Sequence, residues 1–182
     1  SLFGREMAGY QLEIGFGGGE HLAQRAAENP EIGFIGCEPF VNGVAKALAL
    51  IEEKNLTNVR LHPNDAGRLI DRLPTGAFAR VDLLYPDPWP KRRQRKRRFV
   101  SDQMLTRLAR ILAPGGLFCF ATDIDDYAAW TLARIARSPD FEWRARGGGD
   151  WLTPWEGWRS TRYEEKARRE GRPSGYFSFV RR

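Results

Sequence analysis

Short apolar runs alternate with longer amphipathic segments along most of the chain. The apolar runs have the length of buried β-strands and lie at 10–14, 33–37, 59–62, 81–85 and 116–122. The amphipathic segments repeat apolar side chains three and four positions apart, which predicts helices at 20–28, 41–54, 66–73, 101–112 and 123–136. Strands that alternate with helices predict an α/β fold with a doubly wound, mostly parallel sheet covered by helices on both faces.

The pattern changes after residue 141. The segment 144–182 is rich in Gly, Trp and Arg, and its YFSFV stretch alternates aromatic and small residues like a last strand that closes the sheet. A chain of 182 residues with 42% hydrophobic content is long enough for one buried core, so we expect a single domain that spans residues 1–182. No apolar stretch approaches the roughly 18 residues of a membrane span, and the start lacks a signal-peptide pattern. We therefore expect a cytoplasmic protein without a membrane partner.

Positive charge is concentrated in two places. Residues 91–98 contain seven basic side chains, and the segment 144–182 contains an excess of five, so the rest of the chain is acidic although the net charge is +6. A basic run can be a solvated surface. Two separate basic regions on an acidic body instead favour a polyanionic partner such as nucleic acid. No obligatory protein partner is predicted.

Cysteine and histidine are too few, and too widely spaced, to predict a metal site. Cys37 and Cys119 both lie in apolar, strand-like runs, so we expect reduced core residues. His21 and His62 add no recognisable ligand spacing. The prediction is a protein without a bound metal.

A glycine-rich turn follows the first strand, in the stretch LEIGFGGGEH. Gly15 and Gly17 allow a sharp turn and the close approach of a ligand, unless the glycines serve packing alone. A dinucleotide fingerprint would place a third glycine at position 20. Glu20 stands there and would repel a pyrophosphate, so NAD is disfavoured.

Acidic residues follow the next two strands. Glu38 lies at the end of the second strand, where a carboxylate can accept both ribose hydroxyls of an adenosine, or else stand as an acid before a helix. Asp65 follows the third strand, where it can contact an adenine ring or cap the next helix. Both acids lie on the ligand-binding edge of the predicted sheet.

The fourth strand runs into the stretch PDPWP, which is followed by the densest basic run of the chain. Each proline fixes its own φ and restricts the residue before it, so Asp87 is kept out of a helix and held in an extended turn. That turn directs a carboxylate to the same edge of the sheet as the glycine turn.

These motifs together resemble the tRNA (guanine-N7-)-methyltransferases of bacterial type. The resemblance is carried by PDPWPKRRQRKRR and by EIGFGGG, GCEP, NDA, TDIDDY and TRYEEK, over most of 12–166. Gln94 departs from the histidine usual in that family. The resemblance implies a Rossmann-like sheet of about seven strands with an antiparallel last strand, and S-adenosylmethionine as methyl donor. It implies that S-adenosylmethionine is contacted by Glu13, Gly15, Gly17, Glu38, Asp65 and Asp87. It also implies that the tRNA is contacted by Lys91, Asp123, Thr161, Arg162, Tyr163 and Glu164.

The implied reaction methylates N7 of a guanine in tRNA, in the variable loop. The N7 lone pair is free at neutral pH, so the attack needs positioning more than a strong base. We expect Asp87 to orient the guanine through its N1 and N2 hydrogens, and the basic run, including Arg95, Lys96, Arg97 and Arg98, to hold phosphates. The alternatives are another RNA substrate and a non-catalytic RNA-binding module.

Three expectations carry simpler alternatives. Asp123 could cap the helix at 123–136 instead of contacting RNA. Trp151, Trp155 and Trp158 could stack on bases or pack in the core. Glu164 and Lys166, two positions apart, could form an ordinary surface pair.

Overall fold

A computed structural model describes residues 2–182. Seven strands form one sheet, in the order β3-β2-β1-β4-β5-β7-β6. The strands are β1 (Gly9–Ile14), β2 (Ile32–Cys37), β3 (Val59–His62), β4 (Phe78–Leu84), β5 (Leu112–Thr122), β6 (Phe141–Trp143) and β7 (Gly175–Arg181). The strands β1 to β5 pair in parallel, and β7 is antiparallel to both β5 and β6. The predicted Rossmann-like fold with an antiparallel last strand is confirmed.

Helices connect the parallel strands and cover both faces of the sheet. They are α1 (Glu20–Glu28), α2 (Val41–Glu53), α3 (Ala66–Arg72), α4 (Asp102–Ile111), α5 (Asp125–Arg137), α6 (Gly149–Leu152) and α7 (Arg162–Arg169). A 3₁₀ turn spans Arg92–Arg97 within the basic run. The first five helices match the predicted segments to within two residues at each end.

Apolar side chains of the strands pack into a layer on each face. One layer includes Leu12, Val81 and Phe118 with Leu105 and Leu108 of α4. The opposite layer joins α1 and α2 to the sheet and contains Phe16, Leu22, Ala26, Phe34, Ala47 and Val59. No helix within residues 2–182 combines the length and apolar composition needed to cross a bilayer.

The fifth strand starts earlier than predicted. The pattern predicted its start at residue 116, after Pro114 and Gly115, but β5 begins at Leu112. Phe78 pairs with Leu112 and Arg80 pairs with Leu117, so the intervening residues form a bulge. Gly115 supports this irregularity with a φ of +78°. The proline and glycine therefore bend the strand without ending it.

The last strand is not at the edge of the sheet. The sequence predicted a strand that closes the sheet, and β7 instead lies between β5 and the three-residue β6. Six registered pairs join β7 to β5, from Leu117 with Val180 to Thr122 with Gly175. The C-terminal segment is thus part of the sheet that supports the site.

Candidate active site

The carboxyl ends of three strands meet at one edge of the sheet. Ile14 of β1 is in register with Cys37 of β2 and with Leu83 of β4. The turns that leave these strands therefore lie side by side. The strand order reverses between β1 and β4, which is where open α/β sheets bind ligands.

A cleft of about 370 Å³ opens at this edge, a volume typical of small-molecule sites. We call it the sheet-edge cleft. Its lining includes Gly15, Glu38, Asp65, Asp87, Trp89, Arg97 and Tyr163. Three carboxylates converge there with one guanidinium, so the cleft favours a ligand that carries positive charge and polar hydroxyls.

The glycine turn packs against the first turns of α2. Gly15 and Gly17 have φ values of +72° and +59°, a region that L side chains rarely adopt. A Cβ on Gly43 of α2 would lie 2.3 Å from the Gly17 carbonyl oxygen, and one on Gly19 would lie 2.6 Å from the Cβ of Ala47. Close approach of two backbones, besides turn geometry, therefore requires glycine here.

Glu38 is a buried carboxylate held by two backbone donors. The Gly17 N–H donates to its Oε2 at 2.9 Å and the Phe40 N–H donates to its Oε1 at 3.0 Å. The second bond matches the alternative of an acid at the start of a helix, and the first links Glu38 to the glycine turn. Each oxygen keeps a further lone pair for a ligand in the cleft.

Asp65 is the N-cap of α3. Its Oδ1 accepts from the Arg68 N–H at 3.0 Å, which confirms the capping alternative. The same residue lines the sheet-edge cleft, so one carboxylate can serve both roles. Beside it, burial, with smaller contributions from Asp65 and Glu38, raises the pKa of the Cys37 thiol to about 12. Cys37 and Cys119 are both buried free thiols, as predicted.

Asp87 stands in the proline-rich turn after β4, exposed and lining the cleft. The turn contains two left-handed residues that the prolines alone did not predict, Tyr85 with φ +51° and Trp89 with φ +42°. Such conformations in non-glycine residues cluster at functional sites. The predicted extended turn is therefore further bent on both sides of its acid.

Glu13 belongs to a buried polar network beneath the glycine turn. Its Oε2 lies 2.8 Å from His21 Nδ1, and Arg80 Nε lies 2.7 Å from Asp82 Oδ1. One carboxylate oxygen each of Glu13 and Asp82 and one ring nitrogen of His21 all lie within 4.8 Å of one another. The pairing of Asp82 with Arg80 balances part of the negative charge of this cluster.

His21 was not singled out as a site residue by the sequence, although the GEH end of the glycine motif could have marked it. Burial acts to lower its pKa, but the Glu13 carboxylate, with help from Asp82, outweighs burial and leaves the pKa above 6.5. Its ring packs 5.4 Å from that of Trp158. His21 therefore connects the first glycine motif to the C-terminal segment.

The helix α7 lies over the glycine turn. Its N-cap is Thr161, whose hydroxyl accepts from the Glu164 N–H at 3.1 Å. Arg162 lies 3.3 Å from Glu20, and a Cβ on Gly17 would meet the Tyr163 ring at 3.5 Å. The Tyr163 side chain also lines the sheet-edge cleft and is half exposed.

Glu164 is not part of a surface pair, so that alternative is wrong. It is only 4% exposed and accepts from Trp158 Nε1 at 2.9 Å and from the Tyr176 hydroxyl. Burial acts to raise its pKa, but these hydrogen bonds and one from Ser160 outweigh burial and lower it. The Glu164 carboxylate anchors α7 to β7, and its contact with tRNA stays a prediction.

Asp123 does not cap α5. The helix begins at Asp125, and its N-cap is Ile124, whose side chain has no hydrogen-bonding group. The Asp123 carboxylate instead accepts from Arg172 Nε at 2.6 Å. It thus links the end of β5 to the segment before β7.

The three tryptophans of the tail all contact rings of this chain. Trp151 packs 5.4 Å from Trp143, while Trp155 and Trp158 lie 5.9 and 5.3 Å from Tyr176. All three are partly exposed. Packing is therefore one role, and base stacking stays a prediction.

The basic run divides into exposed and internal side chains. Lys91, Arg92, Arg93, Lys96 and Arg97 are exposed. Arg98 is buried, with its side chain 0% exposed, and Arg95 pairs with Asp126 at 2.9 Å. The expectation that Arg98 holds a phosphate is wrong, because its guanidinium is used inside the protein.

The chain matches a known protein family and full-length relatives over nearly all of its residues. Residues 8–175 match a family described as a putative methyltransferase. A tRNA (guanine-N(7)-)-methyltransferase from Agrobacterium fabrum is 58% identical over 182 residues, 100% of this chain and 78% of the relative. Another from Rhodopseudomonas palustris is 55% identical over 180 residues, 99% of this chain and 70% of the relative.

Solved structures resemble the chain in fold at low sequence identity. The 16S rRNA methyltransferase KamB superposes with a TM-score of 0.69 at 17% identity, over 99% of this chain and 91% of that chain. TrmN from Thermus thermophilus superposes with a TM-score of 0.66 at 16% identity, over 100% of this chain and 46% of that chain.

Proposed function

Since the chain belongs to the family of tRNA (guanine-N7-)-methyltransferases, we propose that it transfers a methyl group from S-adenosylmethionine to N7 of a guanine in tRNA. The observation that carries the proposal is the convergence of Glu38, Asp65 and Asp87 on one cleft beside the glycine turn. The relatives at high identity support the tRNA substrate over another RNA.

The residues of the sheet-edge cleft fit S-adenosylmethionine. The donor carries positive charge on its sulfonium and its ammonium group, and the cleft and the adjoining network supply carboxylates without a phosphate-binding loop. Glu38, fixed by two backbone N–H groups, would accept from the ribose hydroxyls, and Asp65, which also lines the cleft, would contact the adenine. Glu13 and the backbone at Gly15 and Gly17 would hold the methionine part.

S-adenosylmethionine supplies an electrophilic methyl group when it is bound. The chain supplies position: Asp87 accepts from the N1 and N2 hydrogens of the guanine, which selects that base and directs its N7 into the cleft. The N7 lone pair needs no deprotonation, so alignment is the main contribution to rate. Alignment is worth roughly 7 to 11 kcal/mol in the most favourable systems.

Substrate contacts are proposed for the exposed parts of the C-terminal segment and the basic run. Lys91, Arg162 and Tyr163 are exposed, and Tyr163 also lines the sheet-edge cleft, so all three are accessible to a polyanion. Thr161, Asp123 and Glu164 already serve bonds within the protein, and they support those neighbours as well as any direct contact. Lysine and arginine here would position the tRNA backbone without reading its sequence.

The proposal is tested by transfer of a labelled methyl group to unmodified tRNA, followed by chemical cleavage at N7-methylguanine. Asp87→Ala should reduce turnover about 100-fold or more while tRNA affinity stays within two-fold, because Asp87 contributes alignment and not backbone contact. Asp71→Ala is the matched control, since Asp71 is an exposed acid of α3 that pairs with Arg107. Label at another position, or undiminished turnover of Asp87→Ala, would contradict the proposal.

A further inference from the structure

The turn that carries Asp87 has almost no hydrogen bonds of its own. Pro86, Pro88 and Pro90 have no N–H to donate, and the turn lies between β4 and the 3₁₀ turn. Among the residues that the structure describes, one hydrogen bond reaches the main chain of residues 86–90. Arg98 Nε donates it to the Pro88 carbonyl oxygen at 2.8 Å.

The Arg98 guanidinium is itself fixed on α5. Its Nη2 donates to the Asp126 carboxylate, and its Nη1 lies 3.4 Å from the Asp126 carbonyl oxygen. Its Cζ lies 4.9 Å from the centre of the Tyr127 ring and 5.1 Å from that of Trp130. The side chain is 0% exposed, so it holds one geometry.

The chain around Arg98 is docked on the same helix. Trp130 Nε1 donates to the Val100 carbonyl oxygen at 2.8 Å, and the Val100 N–H donates to the Tyr127 hydroxyl at 3.3 Å. Arg95 adds a second ion pair to Asp126, at 2.9 Å. The guanidinium therefore connects α5 to a turn whose main chain, among the described residues, has no other hydrogen bond.

We propose that Arg98 is a positioning residue, which sets the place of Asp87 by fixing the Pro88 carbonyl to α5. The inference rests on the proposed function, because it gives Asp87 the task of orienting the guanine. One rigid fork is required: Nε faces the turn while the Nη atoms face Asp126. A lysine offers a single ammonium and cannot bridge both.

The test compares Arg98→Lys with Arg110→Lys in the labelled-methyl assay. Arg110 also bridges two carbonyl oxygens, those of Leu73 at 2.8 Å and Ile70 at 2.5 Å, but it does so between α3 and α4. We expect kcat of Arg98→Lys to fall about ten- to 100-fold, with KM for tRNA and donor within two-fold. Arg110→Lys should lower the thermal midpoint without changing kcat per folded molecule.

A second variant and a chemical rescue distinguish the loss of positioning from the loss of folding. Asp126→Asn keeps Arg98 but removes its carboxylate anchor, and it should lower kcat at least three-fold at constant KM. Added methylguanidine should restore part of the kcat of Arg98→Ala. If Arg98→Lys does not fold, the kcat of Asp126→Asn tests the positioning role.

Three results would overturn the inference: an unchanged kcat in both Arg98→Lys and Asp126→Asn, a loss no larger than in Arg110→Lys, or a change confined to KM. Wild-type protein that does not methylate tRNA would instead refute the proposed function. Active wild type with equally active Arg98→Lys and Asp126→Asn would refute the positioning role alone.

Discussion

Replacing Gly43 with alanine should impair binding of the methyl donor, although alanine is the better helix former. Gly43 lies in the first turn of α2, where the change from glycine gains about 1 kcal/mol of helix propensity. The new Cβ would lie 2.3 Å from the Gly17 carbonyl oxygen, where real contacts stay above 3.0 Å. The two backbones must therefore separate by at least about 0.7 Å.

That separation acts on the bond that fixes Glu38. The Gly17 N–H donates to the Glu38 carboxylate at 2.9 Å, and a shift of that size along the bond exceeds hydrogen-bond distance. Overpacking costs about 1 to 3 kcal/mol, which meets or exceeds the propensity gain. We expect donor affinity to fall about ten-fold or more, equivalent to about 1.4 kcal/mol, with the thermal midpoint unchanged or a few degrees lower.

Calorimetric titration with S-adenosylmethionine and a thermal melt measure both quantities. Gly149→Ala is the control, because Gly149 begins α6 and nothing lies within 4 Å of its added Cβ. It should bind the donor like the wild type. Wild-type affinity together with a raised melting temperature in Gly43→Ala would refute the argument that the backbones touch.

Two further predictions follow from the charges. Alanine at four exposed cations should flatten the dependence of log Kd for tRNA on log salt by up to about three units, because each phosphate contact contributes about 0.7 to 0.9; those cations are Lys91, Arg92, Arg93 and Lys96. A slope within error of the wild-type slope would show that these cations form a solvated surface and do not contact phosphates. His21 has a raised pKa, so the folded state holds its proton more tightly; the stabilisation is fully present below about pH 6.5 and lost as pH rises through the folded pKa. Urea unfolding of wild type and His21→Gln at pH values from about 6 to 9 should show their difference shrinking with pH, and a constant difference would contradict the coupling to Glu13.

The parallel part of the fold could be predicted because its signal is local. Each of β1 to β5 contains a short apolar run, and each connecting helix repeats apolar side chains every three to four positions. The pattern therefore predicts the type and the order of these secondary-structure elements. Glycine and proline motifs then fall at strand ends, and parallel strands bring those ends to one edge.

The helix α7 could not be predicted because the larger of its two buried side chains is a carboxylate. The helix α7 buries only Glu164 and Ala167, and hydropathy does not detect a carboxylate satisfied by Trp158 and Tyr176. The role of Arg98 was hidden for a similar reason. Seven cations in eight positions look alike, and Asp126, which distinguishes one of them, lies 28 positions away.

The interior place of β7 has a consequence for biosynthesis. Strands β1 to β5 can pair as they leave the ribosome, since each of β2 to β5 has a neighbour that is made earlier. The short β6 is translated before β7 yet touches the sheet only through it. Until Gly175–Arg181 emerges, the edge of β5 that β7 later covers has unpaired backbone N–H and C=O groups, which is the kind of strand edge that pairs with other chains.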